Sequence, residues 1–230
     1  AEKYTGRQVR ALYPGVDIPE TIPDRRGDYL LTIDRWDVGN MPTWLLDVVA
    51  QLPKPVPFKV AGFWWPPKLE EEFRRAATAR GLQDQVEILG PVSEERLVDL
   101  YRGARAMIFP HKAAINFSVM EAAAHGCPTV MQQGLDLFVH GVDGFFPDPG
   151  ITTAPVQSRS LETHRPANIS EFVQCTELLV GDEQLALKMG RAARNLMKEH
   201  SWRAHAQRLA DLIEENLPDV GDRRLESGSA

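Results

Sequence analysis

Short apolar runs alternate with helix-period stretches between residues 29 and 146. Tyr29–Asp34 (YLLTID), Pro57–Phe63, Gln85–Leu89, Ala106–Phe109 and Thr129–Val130 read as strands, and the unbroken apolar run Ala106–Phe109 is the mark of a strand buried in a parallel sheet. The stretches between them read as helices. Trp44, Leu45, Val48, Val49 and Leu52 share one face. Lys68–Arg80 turns Leu69, Phe73, Ala76 and Ala77 inward and stops at Gly81. Ser93 caps Glu94–Arg102, whose first turn carries Glu94 and Glu95 and whose inner face is Leu97, Leu100, Tyr101 and Ala104. Asn116 caps a helix through MEAAAH that ends at Gly126, ahead of Pro128. Gly144–Phe146 closes the series as a short strand. This alternation predicts an α/β fold, a Rossmann-like doubly wound parallel sheet.

Beyond the sheet the pattern turns helical. Ile169–Val180, Glu183–His200 and Trp202–Leu217 are C-terminal helices, with Gly181-Asp182 as a stop-and-cap pair and Ser201 as the last cap. In the second of them Leu185, Met189, Ala192, Ala193 and Leu196 face inward, and Arg191, Arg194 and Lys198 form a solvated face. At the other end, Val9–Tyr13 predicts a strand, Pro14-Gly15-Val16-Asp17 a turn, and the Pro-rich, charged Ile18–Asp28 a linker. Asp148–Ala167, rich in Pro, Ser and Thr, reads as a surface loop. The resulting division is an N-terminal segment and linker at 1–28, one domain with its C-terminal helices at 29–217, and a disordered tail at 218–230.

Charge and composition narrow the function. The net charge of −6 disfavours a nucleic-acid-binding surface. No apolar run approaches the roughly 20 residues of a membrane span, and no signal peptide opens the chain. Cys127 and Cys175 lack metal-ligand spacing and read as free thiols of a cytoplasmic protein. No Gly-x-Gly-x-x-Gly follows a strand, no Walker sequence or serine elbow occurs, and no His/Cys/carboxylate cluster is spaced for a metal.

Two positions stand out chemically. Glu121 lies among Val119, Met120, Ala122, Ala123 and Ala124 on a helix with hardly any polar surface, where a carboxylate needs a partner or a ligand; the bland alternative is a solvent edge or a backbone bond. Arg35 lies at the carboxyl end of the first core strand, the edge at which open parallel sheets bind ligands. Trp64-Trp65 follows the second strand at the same edge and suits stacking on a ring, although packing on Pro66 and Pro67 is the stronger reading. His140 reads as a loop residue.

The run INFSVMEAAAHGCPTV resembles the signature of retaining, family 4-type glycosyltransferases of the GT-B fold. YPGVD, the Arg35 loop, VEILGPVSEERLVDLYRGARAMIFP and HSWRAHAQRLADLI extend that resemblance over roughly residues 9–217. It implies that Glu121 holds the ribose hydroxyls of a nucleotide-sugar donor. It implies that Arg35 clamps the donor diphosphate, that the backbone of Leu89 and Gly90 reads the base, and that Asn116, Phe117 and Ser118 add amides at a helix N-terminus. Two positions depart from the signature. Asn40 replaces the second diphosphate cation, and Ala113 replaces the acid that contacts the donor sugar; neither Ala114 nor Ile115 supplies that acid. Lys112 is a candidate replacement for the lost cation, or else a solvated lysine.

The expectation is therefore the donor-binding half of a GT-B glycosyltransferase using a UDP-, GDP- or ADP-sugar. It needs no metal or other cofactor and lacks the acceptor-binding N-terminal domain, so the isolated chain is inactive. The alternative is a catalytically silent GT-B-like domain that binds nucleotide or protein, motivated by Asn40 and Ala113. A sugar-nucleotide epimerase or a phosphorylase of the same architecture ranks below both.

Overall fold

The structure, a computed structural model, describes residues 12–111, 116–132, 137–147, 166 and 169–216. Its chain order is β1 (Leu30–Trp36), α1 (Leu45–Ala50), β2 (Phe58–Trp64), α2 (Lys68–Ala79), β3 (Val86–Gly90), α3 (Glu94–Gly103), β4 (Ala106–Phe109), α4 (Phe117–Ala124), β5 (Thr129–Met131) and β6 (Gly144–Phe145). Three helices follow: α5 (Ser170–Gly181), α6 (Glu183–Glu199) and α7 (Trp202–Asn216). The six strands form one sheet in the order β3-β2-β1-β4-β5-β6. Every pairing in it is parallel. The chain winds outward from β1 to β3, returns, and winds the other way from β4 to β6. The direction reverses between β1 and β4, and the crevice beyond the carboxyl ends of those strands is where such sheets hold ligands.

Each face of the sheet has its own core. One is filled by α1, α2 and α5, with Trp36, Trp44, Phe58, Phe73 and Phe172 fully buried. The other is filled by α3 and α4 and the second half of α6, through Leu100, Tyr101, Val119, Met120, Ala123, Ala193 and Met197. Alternation along β1 sends Leu31 and Ile33 to the second face, and Arg35 continues that series. The expected helix caps are present. Ser93 accepts from the amide of Arg96, Asn116 from that of Val119 and Asp182 from that of Leu185. α4 stops at Gly126, whose φ of +72° places it in the left-handed region. Helix α6 then crosses that turn so closely that a Cβ on Gly190 would lie 1.9 Å from the Gly126 carbonyl oxygen.

The inner face of α6 is Ala186, Leu187, Met189, Gly190, Ala193 and Met197. Leu185, Ala192 and Leu196 of the expected set are only half-buried, because the helix is rotated to bring Gly190 onto Gly126. Pro14–Asp17 is extended rather than a turn: Val16 bridges Ser201, and its amide donates to the His200 carbonyl.

Residues 12–28 form no helix, yet they are fastened along the second face. The buried Arg26 guanidinium donates to the carbonyls of Ala104 (2.8 Å) and Tyr101 (2.6 Å). Arg102 donates to Thr21 O, and Arg194 to Pro19 O and Glu20 O. Arg194 therefore leaves the solvated face assigned to it. Arginine serves here because a planar fork of donors satisfies several carbonyls of a strand-like segment at once. The expected strand at Val9–Tyr13 falls mostly on residues 1–11, and the loop at Asp148–Ala167 mostly on residues 148–165, 167 and 168; both lie largely outside the described residues, as does the tail.

Candidate ligand site

A groove of about 240 Å³ runs between α3 and α4 on the second face. Its floor is made by Leu97, Tyr101, Phe117, Glu121 and His125, and its roof by residues 15–19 and Trp202. Glu121 is placed one turn inside α4, four residues after Phe117, so both project into the groove. The half-buried Glu121 carboxylate accepts from the phenol of Tyr101, with O–H···Oε2 at 3.0 Å. Tyr101 is 1% exposed and lines the groove. Its ring stacks on that of His125, with centroids 5.7 Å apart and planes 28° apart. His125 Nδ1 in turn lies 2.9 Å from the Glu121 carbonyl oxygen, a contact that requires the Nδ1–H tautomer.

The electrostatics of the groove are one-sided. Asp17, Glu94 and Glu121 line it, and no lysine or arginine does so among the described residues. Burial pushes the Glu121 carboxyl up from its ordinary value, the Tyr101 bond pulls it back, and Glu94 and Asp17 push it further up. Burial and then Glu121 hold the Tyr101 phenol protonated far above the usual tyrosine range, against a smaller downward pull from the Ser118 hydroxyl. Burial lowers His125 from its ordinary value, which favours the neutral ring. A groove of this kind accepts hydrogen bonds from hydroxyl or amino groups and repels phosphate.

The other sequence-derived positions lie along the carboxyl edge of the sheet. Arg35 has a side chain 72% exposed and a single loose ion pair, 3.5 Å to Asp37. Asn40 is in the loop beyond, its amide bonded to the Asp37 carbonyl. Leu89 occupies a break in register: Val60 pairs with Ile88 and Ala61 with Gly90, so Leu89 is skipped. Gly90 follows at φ +65°. A bulge that releases backbone groups at a sheet edge is a common way to present them to a ligand. Asn116 spends its side chain on capping α4, which leaves the amides of Phe117 and Ser118 at the helix start. The structure brings Phe117 and Glu121 into the groove, while Arg35, Asn40, Leu89 and Gly90 stand outside its lining. Lys112, Ala113, Ala114 and Ile115 lie outside the described residues.

Two features were not singled out in the sequence: the Tyr101 hydroxyl and the Asp34–His111 pair. Tyr101 reads there as one more inner-face residue; the signal is that a buried tyrosine needs a partner for its hydroxyl. Asp34 and His111 meet at the ends of β1 and β4, with Oδ2 3.4 Å from Nε2. Of the tandem tryptophans, Trp64 is core, whereas Trp65 is 62% exposed and stacks on Phe63 with planes 13° apart.

A doubly wound sheet with a groove between two of its helices is an architecture common to ligand-binding α/β domains. The chain belongs to the group 1 glycosyl transferases, whose family model matches residues 29–157, more than half of its length. It is 30% identical over 162 residues to a D-inositol 3-phosphate glycosyltransferase of Corynebacterium jeikeium, an alignment that takes in 66% of this chain and 33% of that protein. Among solved structures it is similar to Anabaena HepE in complex with UDP and glucose, with a TM-score of 0.66, 18% identity, and coverage of 83% of this chain and 49% of that one. A mutant of S. aureus TarM in complex with UDP, α-GlcNAc-glycerol and fondaparinux gives a TM-score of 0.74 at 14% identity, over 92% of this chain and 40% of that one. These two likenesses confirm the GT-B-type fold. The chain spans about a third of the length of the curated relative and less than half of either structure. Among the described residues no helix is long and apolar enough to cross a membrane.

Proposed function

We propose that the chain is the donor-binding half of a retaining, metal-independent glycosyltransferase that moves a sugar from a UDP-, GDP- or ADP-sugar to an acceptor held by a second domain. The observation that carries the reading is Glu121. It is a partly desolvated carboxylate with one oxygen held by Tyr101, in a mainly apolar groove whose charged lining residues, Asp17, Glu94 and Glu121, are acidic. Such a groove suits the ribose of a nucleotide and turns its phosphates outward. Beyond Glu121, the Arg35 guanidinium and the amides at the start of α4 are the groups suited to a diphosphate. As the bond between the sugar and the diphosphate breaks, charge collects on the leaving phosphate. The guanidinium and the helix amides are groups that would stabilise that charge. The released backbone at Leu89 and Gly90 is then available to the base.

Asn40 supports a second reading, a nucleotide-binding domain without turnover, because an uncharged residue leaves Arg35 as the cation of that loop. The two readings part in one experiment. The whole protein containing this chain is incubated with UDP-, GDP- and ADP-sugars, and nucleoside diphosphate release and sugar transfer are measured. Transfer that disappears in Glu121→Ala supports the enzymatic reading. Nucleotide binding without transfer or hydrolysis supports the silent one.

A further inference from the structure

Tyr101 lies on α3, outside the α4 motif that carries Glu121. We infer that Tyr101 is a positioning residue that makes the groove selective for ribonucleotides over 2′-deoxyribonucleotides, by fixing the Glu121 carboxylate in the orientation that accepts from the ribose diol. The inference rests on the groove being the nucleotide site.

Glu121 has a carboxylate with two oxygens and a free rotation about its last bond. On a helix otherwise lined by alanine, Val119 and Met120, nothing else among the hydrogen bonds of the described residues fixes that rotation; the bond from Tyr101 to Oε2 does so. One oxygen is then committed to the phenol, and Oε1 is left to accept from the ligand. The phenol is itself immobilised. Its ring is buried and stacked on His125, and its backbone carbonyl is tied to Arg26. The pair is built across two helices, 20 residues apart in sequence, so it is a property of the packed groove and not of the α4 motif alone. The phenol also acts on charge. It donates to the ionised form and so opposes the burial and the neighbouring Glu94 and Asp17 carboxylates, which favour the neutral acid. A protonated Glu121 would offer the diol a donor in place of an acceptor. A ribose without its 2′-hydroxyl leaves part of this prepared acceptor unpaired, and that is the source of discrimination.

The test is titration calorimetry of this chain with UDP, GDP and ADP and with their 2′-deoxy counterparts, in wild type, Tyr101→Phe, Glu121→Gln and the double variant. Wild type is expected to prefer the ribonucleotide by about tenfold. Tyr101→Phe is expected to bring that preference within about threefold, and to change nothing further in the Glu121→Gln background. That second expectation separates positioning from a structural defect, because a loosened groove would weaken binding in either background. An unchanged ribo-to-deoxy ratio in Tyr101→Phe overturns the inference while leaving the nucleotide reading intact. Absence of binding by wild type to any of the six ligands overturns the nucleotide reading and this inference with it.

Discussion

Glu121→Gln tests the groove from two sides at once. The substitution keeps the side-chain volume and an oxygen that accepts from Tyr101, and it removes the charge. For the unliganded fold the sign follows from the direction of the shift. Burial raises the folded carboxyl above its ordinary value of 4.5. The unfolded chain therefore gives up this proton first as pH rises. Stability associated with the neutral acid is complete below that ordinary value and is lost as pH climbs through the raised one. Glutamine abolishes the loss. The variant is expected to melt at or above wild type at pH 7.5, with the gap closing as pH falls to about 4. For the ligand the sign is opposite. Charged acceptance from a ribose hydroxyl is worth about 1.5–3 kcal/mol, and an amide in its place forfeits most of that, so nucleotide affinity should drop roughly 10- to 100-fold. Melting curves at several pH values, paired with calorimetric titration, read both effects. A variant that melts lower at pH 7.5, or one whose gap to wild type does not depend on pH, would refute the electrostatic account of the groove. Undiminished affinity would refute its assignment to the ribose.

Two further substitutions probe the frame that holds the groove. Gly190→Ala drives a methyl to 1.9 Å from the Gly126 carbonyl oxygen, where neither partner is a flexible side chain; it should cost about 1–3 kcal/mol, read as a lower urea midpoint at unchanged slope. Arg26→Ala strips the buried carbonyls of Tyr101 and Ala104 of their donor. A loss of about 2–4 kcal/mol is expected, with faster amide exchange at Val16, whose bond to His200 secures the same segment.

Local rules carry much of this molecule. The strands are legible because a sheet covered on both faces favours apolar runs, and Ala106–Phe109 is an unbroken one. Helix starts at Ser93, Asn116 and Asp182 are legible because a side-chain oxygen must meet the orphan amides. What the local pattern misses is set by partners distant in sequence. The segment around Pro19 reads as a linker because its anchors, Arg26, Arg102 and Arg194, look like ordinary surface cations until the carbonyls they reach are folded beside them. The rotation of α6 depends on Gly190 meeting Gly126. The bulge at Leu89 depends on the register that β2 imposes on β3, which strand composition does not encode. In the site, Glu121 stands out because a carboxylate among alanines is unusual. Tyr101 does not, since a tyrosine on an inner helix face is ordinary and only the fold reveals what its hydroxyl touches.

The central claim is that this chain holds a nucleotide with Glu121 at the ribose and Arg35 at the diphosphate. Calorimetric titration of the chain with UDP, GDP and ADP, repeated with Arg35→Ala and Glu121→Ala, tests it most directly. At about 100 times its dissociation constant a ligand adds roughly 2.7 kcal/mol to stability, so a parallel melting curve checks each titration. The account predicts saturable binding of one of the three nucleotides, weakened by both substitutions, with Arg35→Ala leaving the melting point of the unliganded chain unchanged because its side chain is 72% exposed. Binding that is indifferent to both substitutions, or no binding of any of the three at millimolar concentration, would contradict it.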